Sequence, residues 1–134
     1  MENTGLITFE YVNTVIKERP KEIHKWQCGR VLIIAGSVGM AGAAVLAARG
    51  ALKSGAGLVR IAAPEELFDI LQTAVPQATC MSISEVISLR SAEIYKAIAI
   101  GPGMGVDEKN YFLIKEILRE YDGPVVLDAD GLNS

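Results

Sequence analysis

The chain has 134 residues, half of them apolar, with a formal net charge of −3 and a mean hydropathy of +0.29. That length sustains one small domain with a real core, and the hydropathy suits a sheet buried on both faces. The mildly acidic balance leaves no basic footprint and argues against a nucleic-acid partner.

Residues 1–19 predict one helix, capped by Thr8, with Phe9, Val12, Val15 and Ile16 as its apolar stripe and Pro20 ending it. Residues 20–29 read as a loop. His24, the one histidine, reads as an exposed side chain, and Trp26 as packing at the edge of the core. The first thirty residues are mixed and charged and carry no secretory signal, so the expected compartment is the cytoplasm. Cys28 and Cys80 stand far apart with no C-x-x-C, the pattern of free thiols in a reducing compartment.

The stretch Arg30–Gly57 organises the rest. Val31, Leu32, Ile33 and Ile34 form a continuous apolar run, as in a strand covered on both sides. Gly36, Gly39 and Gly42 follow, and a helix of small residues is predicted over 41–54, with Lys53 in its last turn and Gly55 as its cap. A strand feeding a glycine-rich turn and a helix N-terminus is suited to an anion. Val31 to Ala48 is uncharged, a length near that of a membrane span. Its centre, Ala35-Gly-Ser-Val-Gly-Met-Ala-Gly42, is turn-rich and weakly hydrophobic, which argues against a span.

Further on, Leu58–Ala63 reads as a second strand. Pro64 opens a helix over 65–73 with Leu67, Phe68, Ile70 and Leu71 apolar. A short strand over 78–83 and a helix over 84–95 follow. Ala97–Ile100 is the next strand and Gly101-Pro-Gly-Met-Gly105 the second glycine loop. Asp107 caps a helix over 108–121 whose expected apolar face is Tyr111, Ile114, Leu118 and Tyr121, widened by Ile117. Val125–Leu127 is the last strand and enters Asp128-Ala-Asp-Gly-Leu-Asn133.

Strands alternating with helices predict a doubly wound, mostly parallel α/β sheet with helices on both faces, and ligands then sit outside the carboxyl ends of the strands. The loops 35–42, 101–106 and 128–133 all leave such ends and should converge. The glycine spacing is neither G-x-x-x-x-G-K-[ST] nor G-x-G-x-x-G, which excludes a P-loop and leaves a dinucleotide-binding Rossmann half, with Glu65 on the ribose, as an alternative. Of Asp128 and Asp130, contact by one of them to a metal or ribose fits better than a hydrolytic pair. Ser37 has no base near it in sequence.

His24-Lys25, then Gly29-Arg-Val-Leu-Ile-Ile-Ala-Gly-Ser-Val-Gly-Met-Ala-Gly42, then Ala51-Leu-Lys-Ser-Gly-Ala-Gly-Leu-Val59 resemble the start of the ADP/ATP-dependent NAD(P)H-hydrate dehydratases, members of the ribokinase-like superfamily. Ala97-Ile-Ala-Ile-Gly-Pro-Gly-Met-Gly105 and Pro124-Val-Val-Leu-Asp-Ala-Asp-Gly-Leu-Asn133 are similar to the next two blocks, in the same order. Where that family shows glycine, a polar residue and an aromatic after His-Lys, this chain has Trp26-Gln-Cys28. The resemblance implies a truncated ribokinase-like fold, with residues 1–134 as the N-terminal half of the domain. It implies a lyase that repairs nucleotides: hydrated NADH or NADPH is phosphorylated at its hydroxyl by ADP or ATP with Mg²⁺, and phosphate is then eliminated. It assigns Gly42, Ala43, Gly103, Asp128, Asp130 and Asn133 to the side of the site that binds the hydrated dinucleotide. It places the catalytic aspartate and the adenine-nucleotide site beyond this half, so the isolated chain is expected to be inactive. The implied assembly is a homo-oligomer, a tetramer, with no membrane partner. Two alternatives remain: a non-catalytic dinucleotide-binding module, and a subunit whose last strand, an apolar sheet edge, is completed by another chain or a copy of itself.

Overall fold

The computed structural model describes residues 5–16, 18, 20–87 and 94–134, with the side chains of Lys25, Trp26 and Ile87 excepted. The expectation for Trp26, and half of the helix expected over 84–95 (residues 88–93), lie outside the described residues. In chain order the elements are α1 (Phe9–Val15), a 3₁₀ turn (Lys25–Cys28), β1 (Arg30–Ile34), α2 (Ala41–Lys53), β2 (Leu58–Ala63), a 3₁₀ turn (Glu65–Leu67) and α3 (Phe68–Ala74). They continue with β3 (Thr79–Ser82), α4 (Ile83–Ile87), β4 (Ala97–Ile100), α5 (Glu108–Glu120), β5 (Val125–Leu127) and α6 (Asp130–Asn133).

The five strands form one parallel sheet in the order β3-β2-β1-β4-β5. β1 is central, and Leu32, Ile33, Ile34 and Ala35 are each at most 1% exposed. Their alternation feeds two separate cores. Leu32 and Ile34 join Ile98, Ile100, Leu113, Ile114 and Ile117 on the face covered by α4 and α5. Ile33 and Ala35 join Ile61, Ala63, Ala44, Ala48 and Leu71 on the face covered by α2 and α3. Ala44 and Ala48, one turn apart and fully buried, carry only methyl groups, so α2 seats close against the sheet. Its end is a Schellman cap, with Gly55 at φ 105°, Ala56 N–H donating to Ala51 O (3.0 Å) and Gly55 N–H to Leu52 O (3.1 Å).

Three expectations change. In α5 the buried apolar face is Leu113, Ile114 and Ile117, continued by Tyr121 at the C-cap, while Tyr111 and Leu118 are 44% and 49% exposed. The helix is apolar on much of its circumference, and docking on the sheet chooses among stripes that periodicity leaves equivalent. Thr8 does cap α1, accepting from Tyr11 N–H at 3.2 Å. The helix buries nothing, however, and Phe9, Val15 and Ile16 are all more than 60% exposed. In the third helix Leu67 and Leu71 are buried but Ile70 is half exposed. Among the described residues no helix is long and apolar enough to cross a membrane. Cys28 and Cys80 are free thiols. β5 pairs with β4 on one side, and Val126 is 60% exposed on this short strand.

Candidate functional site

The strand order reverses between β1 and β4. The loop after β1 leads to α2 on one face of the sheet, and the loop after β4 leads to α5 on the other, which opens a crevice at their carboxyl ends. The loops after β1, β4 and β5 do converge, and hydrogen bonds stitch them together. Gly36 N–H donates to Pro102 O (2.8 Å), and the Ser37 hydroxyl donates to Gly103 O (2.8 Å). From the other side Gly105 N–H donates to Asp130 Oδ2 (2.9 Å).

Loop 101–107 is more than a connection. Gly101, Gly103 and Gly105 have φ of 127°, 64° and 81°, conformations that a side chain resists. At Gly101 the space is filled by protein: an added Cβ would meet Asp128 O at 1.9 Å and Gly131 N at 2.6 Å. Gly101 and Gly131 thus interlock the β4 and β5 loops backbone to backbone. Asp107 caps α5 by accepting from Asn110 N–H (2.8 Å). Asn110, buried, donates its side-chain amide to Met104 O (3.0 Å) and Gly105 O (2.9 Å).

The expected site residues fall into two clusters along this edge. Gly42 and Ala43 lie in the first turn of α2, and Gly103 packs on Ala43 and Met40. Gly42 is exposed, and a Cβ there would meet nothing within 4 Å. The N-cap of this 13-residue helix, Met40, offers no side-chain hydrogen bond, and no acidic residue stands in the first turn. Ala43 N–H turns back to Met40 O (3.3 Å), so no side chain caps or neutralises this helix end, and its dipole lies beside the open space at Gly42. Gly103 needs its glycine for a reason the sequence does not show: a Cβ would lie 2.7 Å from the Ala43 Cβ and 3.2 Å from Met40 O. Protein contact and positive φ, more than ligand space, fix that position.

The second cluster is Asp128, Asp130 and Asn133. β5 ends at Leu127, and Ala129 turns the chain with φ 48° and ψ −121°, a rare non-glycine conformation worth about 1–3 kcal/mol of strain. Asp128 Oδ1 accepts from Ala129 N–H (2.9 Å), and Asn133 Nδ2 donates to Ala129 O (3.2 Å), so both brace the turn. Asp128 is exposed, whereas Asp130 is partly buried and bonded to the β4 loop.

Other candidates separate. Ser37 is a tie between loops. His24, an exposed residue before β1, lies at the amino end of a strand that Ser37 follows, and at 3.3 Å per residue the five residues of β1 separate them by roughly 16 Å. Glu65 is exposed after Pro64. α2 begins five residues beyond Gly36, a longer excursion than a Rossmann turn makes. Among the described residues no three His, Cys, Asp or Glu side chains could hold a metal ion. A hollow of about 220 Å³ lined by Arg30, Arg60, Thr79 and Tyr95 sits at the amino edge of the sheet, away from the glycine loops. Sequence reasoning missed Asn110, whose signal was an amide side chain at the third position of α5, three residues after the Asp107 cap. It also missed the strained Ala129.

Comparison with known proteins gives a consistent result. The NAD(P)H-hydrate dehydratase family profile matches residues 31–134, which include all three loops. The ADP-dependent (S)-NAD(P)H-hydrate dehydratase of Bacillus subtilis is 36% identical over 132 residues, covering 97% of this chain and 48% of the relative. A crystal structure of the Bacillus subtilis ADP/ATP-dependent NAD(P)H-hydrate dehydratase, co-crystallised with ATP and Mg²⁺, superposes with a TM-score of 0.82 at 34% identity, over 98% of this chain and 48% of that one. A ribokinase-like superfamily protein of Enterococcus faecalis gives a TM-score of 0.78 at 27% identity, over 88% and 43%. The fold is ribokinase-like. The chain spans about half the length of the single-activity relatives, and less of those named bifunctional repair enzymes.

Proposed function

The chain belongs to the NAD(P)H-hydrate dehydratase family, and from that premise we propose that it forms the hydrated-dinucleotide side of an ADP- or ATP-dependent dehydratase site. The observation that carries this reading is the open, uncapped first turn of α2 at Gly42, set beside the glycine loop of β4 at the sheet's switch point. Its N–H groups and dipole are placed for the pyrophosphate of a dinucleotide. Gly42 lets the ligand lie along backbone, Ala43 and Gly103 flank it, and Asp128 offers a carboxylate for a ribose or nicotinamide-side hydroxyl. In the whole domain the hydroxyl of hydrated NADH or NADPH takes a phosphoryl group from ADP or ATP, and loss of phosphate restores the double bond. The phosphoryl step depends mainly on positioning and charge stabilisation. Mg²⁺ would neutralise phosphate charge, and among the described residues no three His, Cys, Asp or Glu side chains form a set of ligands for it. The general base and adenine site belong with the further length that the relatives possess. We place residues 1–134 as the N-terminal half of that domain, working as a homo-oligomer, with tetramers expected in light scattering.

The test is calorimetric titration of the chain with hydrated NADH, NADH and NAD. Binding that favours the hydrate, with no conversion when ADP and Mg²⁺ are added, supports the reading. Equal binding of NAD that is lost on Glu65→Ala would instead identify a non-catalytic Rossmann-like module. Conversion by this chain alone would refute the placement of the catalytic groups elsewhere.

A further inference from the structure

The geometry points to a division of labour within Asp128-Ala-Asp130: Asp130 is a positioning residue that holds the β4 glycine loop in its ligand-ready shape, and Asp128 is the carboxylate left for the ligand. The inference deepens the proposed function and rests on it for the ligand, although its structural half stands alone.

Both backbone groups of Gly105 are held by side chains. Its N–H is taken by Asp130 Oδ2 at 2.9 Å, and its C=O by Asn110 Nδ2 at 2.9 Å. Gly105 has φ 81°, and an added Cβ there would meet nothing within 4 Å, so no packing pins it. Its conformation depends on these two bonds. The first joins residues 25 apart and ties the β5 loop to the β4 loop. Ser37 holds the same loop from the α2 side through Gly103 O. Loop 101–105 is therefore clamped from both flanks, with Asp130 as the clamp on the β5 side. The two carboxylates are parted by the Ala129 turn, so they do not act as a pair. Asp130 is drawn into the loop contact and partly buried, while Asp128 stays exposed with Oδ1 on the adjacent Ala129 N–H.

A positioning acceptor needs an oxygen and not a charge, which separates it from a ligand-contacting carboxylate. Asp130→Asn keeps an acceptor oxygen, and Asp130→Ala does not. Loss of a charge-assisted bond predicts at least about tenfold faster hydrogen exchange at the Gly105 amide in Asp130→Ala, read by NMR without any ligand, against under about threefold in Asp130→Asn. Affinity for hydrated NADH should follow the same order, falling about tenfold in Asp130→Ala and little in Asp130→Asn, while Asp128→Asn weakens binding and leaves Gly105 exchange unchanged. Unchanged Gly105 exchange in Asp130→Ala overturns the inference. So does an Asp130→Asn variant that keeps Gly105 protected yet binds as poorly as Asp130→Ala, because the charge would then be meeting the ligand. Should Asp130→Ala not fold, Asp130→Ser, whose shorter side chain withdraws the acceptor, gives the same exchange comparison. If Gly105 exchange follows Asp130 but no variant, nor the unmodified chain, binds the hydrate, the functional reading fails and the positioning role stands.

Discussion

Gly42→Ala is expected to make the protein more stable and a poorer binder at once. Gly42 occupies the first turn of α2 in ordinary helical backbone, is exposed, and would present its Cβ to nothing within 4 Å. No steric cost opposes the helix preference for alanine, worth about 0.5–1 kcal/mol for an exposed position. In a domain of this size that corresponds to a rise in Tm of roughly 2–4 °C. The same methyl group stands where a dinucleotide would rest on the backbone at the head of the helix. It should weaken binding of hydrated NADH at least tenfold, about 1.4 kcal/mol. Thermal unfolding without ligand and calorimetric titration read the two effects separately, and their opposite signs exclude a folding defect as the cause. A variant that is more stable and binds as before would refute the argument that the open space at Gly42 is ligand space. A less stable variant would refute the description of the α2 terminus.

Gly101→Ala should be among the most damaging single methyl additions, because φ of 127° and a 1.9 Å approach to Asp128 O leave its Cβ no room. Strain and overpacking together are worth about 3–5 kcal/mol, a large part of a small domain's stability, and urea unfolding would show it. Asn110→Ala removes the donor to the Met104 and Gly105 carbonyls and should cost about 2 kcal/mol. Asn110→Asp should cost more, since an acceptor-only carboxylate would face two carbonyl oxygens, and thermal melts would rank the two. Burial pushes the Tyr121 phenol above its usual range, and its hydroxyl donates to Tyr95 O at 3.0 Å. The folded chain therefore keeps that proton when the unfolded chain has begun to lose it. The stability Tyr121 contributes is complete below about pH 10 and falls as the pH rises beyond that. Urea midpoints should show the unmodified chain losing more than Tyr121→Phe across that alkaline range.

Features that depend on neighbours within a few residues could be read from the amino-acid order. The β1 run, the small-residue helix closed at Gly55, the Asp107 and Thr8 caps and the glycine turns are set by backbone preferences and local hydrogen bonds, and they were legible without a fold. The alternation of strands and helices also fixed the parallel sheet, and with it the edge where the three loops must emerge. Only the tertiary structure decided what meets across that edge. Ser37 reaches a carbonyl 66 residues away, and Asp130 an amide 25 residues away. The glycine at 103 answers to Ala43 on another element. The stripe expected on α5 was wrong at Tyr111 and Leu118 and missed Leu113 for the same reason, since several stripes satisfy the helical period and the sheet selects one. The apolar stripe of α1 found no surface among the described residues. Local chemistry cannot encode these outcomes, because each one depends on which distant segment the strand order brings alongside.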